Sequence, residues 1–269
     1  MTTTNKIVIS SGHALHVRGA AKLIDEVTEA RRVVDRVYAI LKASGVGVLK
    51  FHDDKSKTQA QNLATITKYH NAQQRALDVS IHFNAASFVQ TARGCEVLHY
   101  DAPNQAKAAR LAAAISKAGG LKDRGAKQRT NLAFLRDTSK PALLIEVCFV
   151  DSEADVKQYK NNFEAICQAI AEALAGFVGH DIASAKKAQE AATGYFIRTG
   201  TFTTKEQAEA AVAKMQRLQL VKVATVHTSA VAKKYYIKTG TFSSKAAAEA
   251  ALEKMKQNKI IWVGSVEKA

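Results

Sequence analysis

Ala142-Leu-Leu-Ile-Glu-Val-Cys-Phe149 is the stretch on which the fold turns, with seven apolar residues in eight. A strand with one face in water alternates polar and apolar residues, so a nearly unbroken apolar run marks a central strand covered on both sides. Outward from it, residues 77–83, 95–100, 46–51 and 7–10 show the composition of further strands. Helical spacing fills the intervals at 26–44, 58–73, 104–118, 153–159 and 163–177, as with Val33, Val34, Val37, Ile40 and Leu41 in the first. Strands alternating with helices predict an α/β domain over residues 1–180, a twisted, mostly parallel sheet flanked by helices.

One residue of the central run does not belong among hydrocarbon. An ionised Glu146 there is costly unless a cation or strong hydrogen bonds compensate, so it marks a site. In such sheets, sites form beyond the strand ends. His13 follows the first strand in Ser10-Ser-Gly-His13, and His82 ends Leu77-Asp-Val-Ser-Ile-His82. Glu26 opens the first helix, and Glu29 lies one turn on as an alternative ligand. Two imidazoles and a carboxylate with a fourth position open is the usual catalytic zinc set. Glu146 would then take a proton from water. On spacing alone this set competes with others, since eight histidines supply accidental pairs such as His13 and His16. His16, His52, His70, His99, His180 and His227 are expected at the surface or satisfied by structural partners.

The last third repeats itself. Tyr195-Phe-Ile-Arg-Thr-Gly-Thr-Phe-Thr-Thr-Lys205 returns as Tyr235-Tyr-Ile-Lys-Thr-Gly-Thr-Phe-Ser-Ser-Lys245, and the segments 208–215 and 220–226 return at 248–255 and 260–266. Each unit reads strand, helix, strand, so the pair predicts a small α+β, ferredoxin-like βαββαβ domain over 194–269. The Ala- and Lys-rich residues 181–193 read as a linker. With strands at 220–226 and 260–266, alternation would bury Val221, Val223, Ile261 and Val263. The open face would then show Phe196, Arg198, Lys222, Tyr236, Lys238 and Trp262.

Composition bounds the rest. The 269 residues are 47% hydrophobic and 23% charged, an ordinary globular balance that excludes wholesale disorder. No apolar run approaches the roughly 20 residues of a bilayer span, so membrane insertion is not expected. Cys95, Cys148 and Cys167 form no CxxC pair and sit in apolar surroundings, which argues for core positions rather than a disulfide framework. The net charge of +15 calls for an anionic partner: nucleic acid, membrane surface or cell-wall polymer. From residue 183 on there are 15 Lys and Arg against 6 Asp and Glu, a net +9 in the smaller part. Nucleic acid is disfavoured, because the aromatic glycine motif of sheet-based RNA binders is absent.

Residues 6–178 resemble the zinc-dependent N-acetylmuramoyl-L-alanine amidases of the amidase-3 type. The resemblance rests on Ser11-Gly-His13, Asp25-Glu26, Val79-Ser-Ile-His82-Phe-Asn84, Gly94-Cys-Glu-Val-Leu-His-Tyr100, Arg124-Gly-Ala-Lys127, Phe134-Leu-Arg136 and Pro141-Ala-Leu-Leu-Ile-Glu146. It implies one zinc ion on His13, Glu26 and His82, Glu146 as the catalytic acid/base, and cleavage of peptidoglycan between N-acetylmuramic acid and L-alanine. The loop Ser10-Ser-Gly-His-Ala-Leu15 departs from the Asp-Pro-Gly-His-Gly-Gly of many members. The C-terminal repeats resemble a sporulation-related repeat (SPOR) domain, which implies glycan binding by the open face. With no signal-like N-terminus, the expected setting is a phage endolysin made in a host cytoplasm and acting on the wall after membrane permeabilisation. A sporulation autolysin is the alternative, and a non-catalytic wall- or nucleic-acid-binding protein the alternative from another class. No obligate protein partner is expected.

Overall fold

The computed structural model describes residues 6–184, 194–229 and 234–269. The chain divides into two compact units, Met1–Ile182 and Ala183–Ala269. Ile182 is buried in the first unit's core. Residues 185–193, most of the expected linker, lie outside the described residues.

In the first unit the strands are β1 (Ile7–Ser11), β2 (Val48–Phe51), β3 (Leu77–Asn84), β4 (Cys95–His99), β5 (Asp123–Gln128) and β6 (Ala142–Phe149). The helices are α1 (Glu26–Ala43), α2 (Gln59–Asn71), α3 (Ala102–Gly119), α4 (Ala133–Asp137), α5 (Glu153–Asn161) and α6 (Phe163–Phe177). The sheet runs β2-β1-β3-β6-β4-β5. β6 pairs with β3 in parallel and with β4 in the antiparallel sense, so the sheet is mixed with a parallel majority. As its composition requires, β6 is covered on both faces. Leu143, Ile145 and Val147 pack into the cluster that holds residues of α1, α3 and α6, while Ala142 and Leu144 pack with Ile66 of α2 and Phe134 and Leu135 of α4.

The helices begin where side-chain oxygens can satisfy free N–H groups. Asp25, Thr58, Asp101 and Ser152 each accept from the backbone three residues on, opening α1, α2, α3 and α5. The sequence reading contained neither β5 nor α4. β5, Asp-Arg-Gly-Ala-Lys-Gln, is a half-exposed edge strand without apolar alternation, and α4 has only five residues. Cys95, Cys148 and Cys167 are buried and free, and burial pushes the thiols of Cys95 and Cys167 up to about 12. Under β1 and β3 lies a buried polar network. Arg75 donates through Nε and Nη2 to the two oxygens of Asp78, at 2.7 Å each. His70 bridges Asp78 and Ser10, with ring nitrogens 2.8 and 3.0 Å from their oxygens.

The second unit is β7 (Tyr195–Thr199), α7 (Lys205–Arg217), β8 (Ala224–Thr228), β9 (Tyr235–Thr239), α8 (Lys245–Gln257) and β10 (Gly264–Lys268). Its sheet is antiparallel in the order β10-β7-β9-β8, the ferredoxin-like arrangement expected of tandem βαβ repeats. The repeats interlock reciprocally: Ile197 N donates to Thr239 Oγ1 and Ile237 N to Thr199 Oγ1, both at 2.9 Å.

The second strand of each repeat starts later than expected. Residues 220–223 and 260–263 close the helices instead. Gln219 and Lys259 turn left-handed at φ 54° and 52°. Leu220 N then reaches Met215 O, and Ile260 N reaches Met255 O, both at 3.0 Å. This is a Schellman closure, whose next apolar residue packs back on the helix. Leu220 and Ile260 fill that place, and Val221 and Ile261 after them are buried, whereas Val223 and Val263 are 58% and 68% exposed, against expectation. Lys222 and Trp262 therefore lie in the connecting segments and not on the sheet face where alternation had put them.

Candidate metal centre

Parallel strands deliver the site. β1 ends at Ser11, and Gly12 and His13 follow directly. β3 carries His82 as the direct register partner of Glu146 on β6. Glu26 opens α1 behind the N-cap Asp25. Residues far apart in the chain thus meet toward the carboxyl ends of the sheet's inner strands, where crossovers leave space.

One donor atom each from His13, Glu26 and His82 lies within 4.8 Å of the others. Glu26 Oε1 is 3.0 Å from His82 Nδ1 and 3.3 Å from His13 Nε2. The carboxylate is fixed from behind: Phe83 N donates to Oε1 at 3.1 Å and Ala20 N to Oε2 at 2.7 Å. Burial would raise its pKa, but the hydrogen bonds and charges of His13 and His82 outweigh burial and hold it well below the carboxylate range. Gly12 passes so close that a Cβ there would stand 1.8 Å from His82 Nε2, and one on Gly19 would stand 2.2 Å from Glu26 Oε2. The backbone is a cradle for two of the three donors.

Glu146 is half-buried, but its Oε2 is shut off from solvent and has no hydrogen-bond partner. Burial, followed by the charges of Glu26 and Glu96, pushes its carboxyl up to about 8. The carboxylate expected to be out of place in its strand is indeed uncompensated. Glu29, the alternative ligand, is committed elsewhere, 2.6 Å from Arg32 Nη1 and accepting from the Tyr159 hydroxyl at 2.7 Å.

The donor set fits zinc: two imidazoles and an anionic oxygen, three protein ligands with room for another, with the backbone packed behind Glu26 and His82 restricting their orientation. A cavity of about 400 Å³ opens beside His13 and His82, walled by Leu63 and Ile66 on one side and Leu132 and Phe134 on the other, with Asn62 and Arg136 on its lining. The sequence reading missed this wall because α4 was not recognised. It also missed Glu96, although a carboxylate in Gly94-Cys-Glu-Val-Leu98 is the same signal that exposed Glu146.

The family profile of N-acetylmuramoyl-L-alanine amidases matches residues 7–176, well over half of the chain. The chain belongs to the N-acetylmuramoyl-L-alanine amidase family. A SPOR domain profile matches residues 191–261 of this amidase-family chain. An uncharacterized protein of Clostridium perfringens is 32% identical over 173 residues, 63% of this chain and 51% of that protein. An uncharacterized 38.4 kDa protein of Clostridium perfringens is 30% identical over 183 residues, 66% of this chain and 53% of that one. The chain thus spans about half the length of the curated relatives it matches. The fold is shared with the catalytic domain of an endolysin targeting Clostridia Difficile: 24% identity, TM-score 0.57, 64% of this chain and 97% of that one. It is shared too with the catalytic domain of CwlV from Bacillus (Paenibacillus) polymyxa: 23% identity, TM-score 0.55, 65% of this chain and 98% of that one.

In the SPOR-matched unit, four of the six expected wall-contacting residues meet on one sheet face. Arg198 and Lys238 are register partners on β7 and β9. The Arg198 guanidinium lies 4.3 Å from the centre of the Tyr236 ring, and Lys238 Nζ lies 4.0 Å from that of Phe196. His227 of β8 stacks on Tyr236 at 5.3 Å. Phe196 is buried, so its ring is less open than alternation alone suggested. Trp262 stands off the sheet, 81% exposed.

Proposed function

We propose that the chain hydrolyses the amide bond between N-acetylmuramic acid and L-alanine in peptidoglycan, with one zinc ion held by His13, Glu26 and His82. The observation that carries this reading is the convergence of those three donors beside a buried carboxylate with an unpartnered oxygen. Zinc held there supplies Lewis acidity, which polarises the lactyl carbonyl and makes water more acidic. Glu146, the register partner of His82 and with raised proton affinity, accepts the proton of the attacking water and returns it to the departing amine of the stem peptide's L-alanine. Glu26 stays ionised and keeps its orientation through Ala20 and Phe83. The apolar wall of Leu63, Ile66, Leu132 and Phe134 limits water beside the scissile bond. The SPOR-matched unit holds glycan strands through the Phe196, Arg198, Tyr236 and Lys238 face, rings against sugars and cations against anionic polymer, with Lys222 and Trp262 as flanking contacts.

Mass spectrometry of digested walls tests the reaction, which must leave intact glycan and free N-terminal L-alanine. Glu146→Gln is expected to keep zinc and lose about 10²–10⁴-fold in turnover, the scale of a positioned acid/base. His13→Ala, His82→Ala and Glu26→Ala are expected to lose the metal, and Glu29→Ala to keep it. A metal-free Glu146→Gln protein, or one turning over at the wild-type rate, would overturn the assignment.

A further inference from the structure

Arg124-Gly-Ala-Lys127 is singled out by the sequence and unused by the chemistry so far. It lies on β5, and the sheet's register ties it to the proposed site. His82 of β3 stands beside Glu146 of β6, and Glu146 stands beside Glu96 of β4. Glu96 is buried, and both of its oxygens are occupied: Arg124 Nε donates to Oε2 at 2.7 Å and Asn84 Nδ2 to Oε1 at 3.0 Å. His82, Glu146, Glu96 and Arg124 thus form a row across four neighbouring strands. Adjacent strands are about 4.8 Å apart, which puts the Arg124 backbone about 10 Å from that of Glu146.

Arg124 is held but not used up. Its Nε is spent on Glu96, and its guanidinium lies 5.1 Å from the centre of the Phe149 ring. The two Nη groups make no hydrogen bond among the described residues, and the side chain is 35% exposed. A second guanidinium, that of Arg93, lies 5.5 Å from the centre of the same ring. The Arg93 guanidinium donates to Ser87 O and Oγ, at 2.9 and 3.0 Å, and its buried Nε has no partner, while the backbone N–H of Arg93 donates to Asp155 Oδ1 at 3.0 Å. Asp155 beside them is taken up by the backbone N–H groups of Arg93, Gly94 and Phe149, so the Nη groups of Arg124 stay open for a ligand. A fork with two free parallel donors matches a carboxylate.

We propose that Arg124, aimed by Glu96 and Phe149 and assisted by Arg93, binds a free carboxylate on the stem peptide and selects substrates by it. The proposal rests on the amidase reading above. Stem peptides carry carboxylates on their second and third residues, either free or amidated, and that chemistry is what a guanidinium fork distinguishes.

The test uses the full-length zinc-loaded protein and three soluble muropeptides: one with both carboxylates free, one amidated at the second stem residue and one amidated at the third. The wild type is expected to favour the free form over one amidated form by about 10- to 100-fold in kcat/KM, mostly through KM, the range of hydrogen bonds to a charged group. The sensitive position identifies the carboxylate that is read. Arg124→Gln is expected to erase the preference, so that its kcat/KM values on the three substrates converge. Arg124→Lys is expected to keep part of it, since the charge remains without the fork. Equal wild-type rates on all three substrates, or the same loss for Arg124→Gln on each, would overturn the proposal. If the wild type frees the stem peptide from none of them, the amidase reading fails. Calorimetric binding of the matching free peptides, with or without amidation, then still decides for or against Arg124.

Discussion

Replacing Glu146 with Gln tests the physical state of the site independently of activity. In the metal-free protein the carboxyl is moved from its ordinary 4.5 to about 8, by burial first and by the charges of Glu26 and Glu96 after it. A folded-state pKa above the unfolded one means that the folded protein holds the proton more tightly. The neutral carboxyl costs nothing extra below pH 4.5. Stability then falls as pH rises from there, and levels off above about 8. Each unit corresponds to about 1.4 kcal/mol, so the whole window is worth about 5 kcal/mol. Gln cannot ionise and escapes this loss. It leaves a buried amide without a full set of partners, at about 1–3 kcal/mol, but that cost does not vary with pH. The diagnostic is therefore a slope. Urea denaturation of chelator-treated wild type and Glu146→Gln at pH 5, 6, 7 and 8 is expected to show the variant gaining on the wild type by about 1.4 kcal/mol per unit. Other titrating groups are common to both proteins and drop out of the comparison. With zinc restored the slope is expected to flatten, because a cation held by Glu26 removes one of the two repelling charges. Parallel pH curves for the two metal-free proteins would refute the claim that Glu146 is buried and uncompensated.

Three further outcomes follow from particular contacts. Gly12→Ala puts a Cβ 1.8 Å from His82 Nε2, so the ring must move. A competition titration is expected to show zinc affinity lower by about 10- to 100-fold, the scale for disturbed ligand support, and unchanged affinity would count against the cradle. Asp78→Asn leaves Arg75 buried without its counter-charge, and is expected to cost about 3–5 kcal/mol in urea denaturation, with a loss under about 1 kcal/mol refuting it. In pull-downs with purified walls, Arg198→Ala and Lys238→Ala are expected to matter mainly at low salt, since exposed charges are screened within about 10 Å at 0.1 M. Trp262→Ala is expected to weaken binding at every salt concentration, and unaltered binding of a folded Trp262 variant would remove it from the surface.

What was legible in the sequence was whatever violates a local rule. Glu146 interrupts an apolar run, and a strand buried on both faces has no routine use for a carboxylate, so the strand could be read from eight residues together with the candidate site it marks. The tandem repeat was legible because it states its own period. Local pattern does not contain strand order. Nothing in residues 95–99 says that β4 runs antiparallel beside β6, and so the alignment of Glu96 with Glu146 had to come from the sheet. β5 was hidden because an edge strand escapes the demand for alternation. The strands of the second unit were displaced for a related reason. Leu220-Val221 and Ile260-Ile261 are apolar enough for strands, but they serve a helix end, where Gln219 and Lys259 adopt the left-handed turn without the glycine that usually signals it.

The two acids at the site also show why residue type alone could not assign roles. Glu26 sits in the first turn of α1, where the helix dipole favours negative charge. Two backbone N–H groups and two imidazoles add to this, and all of them favour ionisation. Glu146 sits within a strand, with no helix end to help it, and burial first, then the charges of Glu26 and Glu96, favour the proton. Pairs of acids driven apart in this way fall into separate roles, one permanently charged and one exchanging a proton. The division depends on the fold more than on the ligands: moving Glu26 off the helix terminus would weaken its hold on a cation and at the same time relieve the repulsion that keeps Glu146 protonated. A change at either acid must therefore register at the other, and the pH profile of Glu26→Gln is expected to show the Glu146 titration at lower pH than in the metal-free wild type.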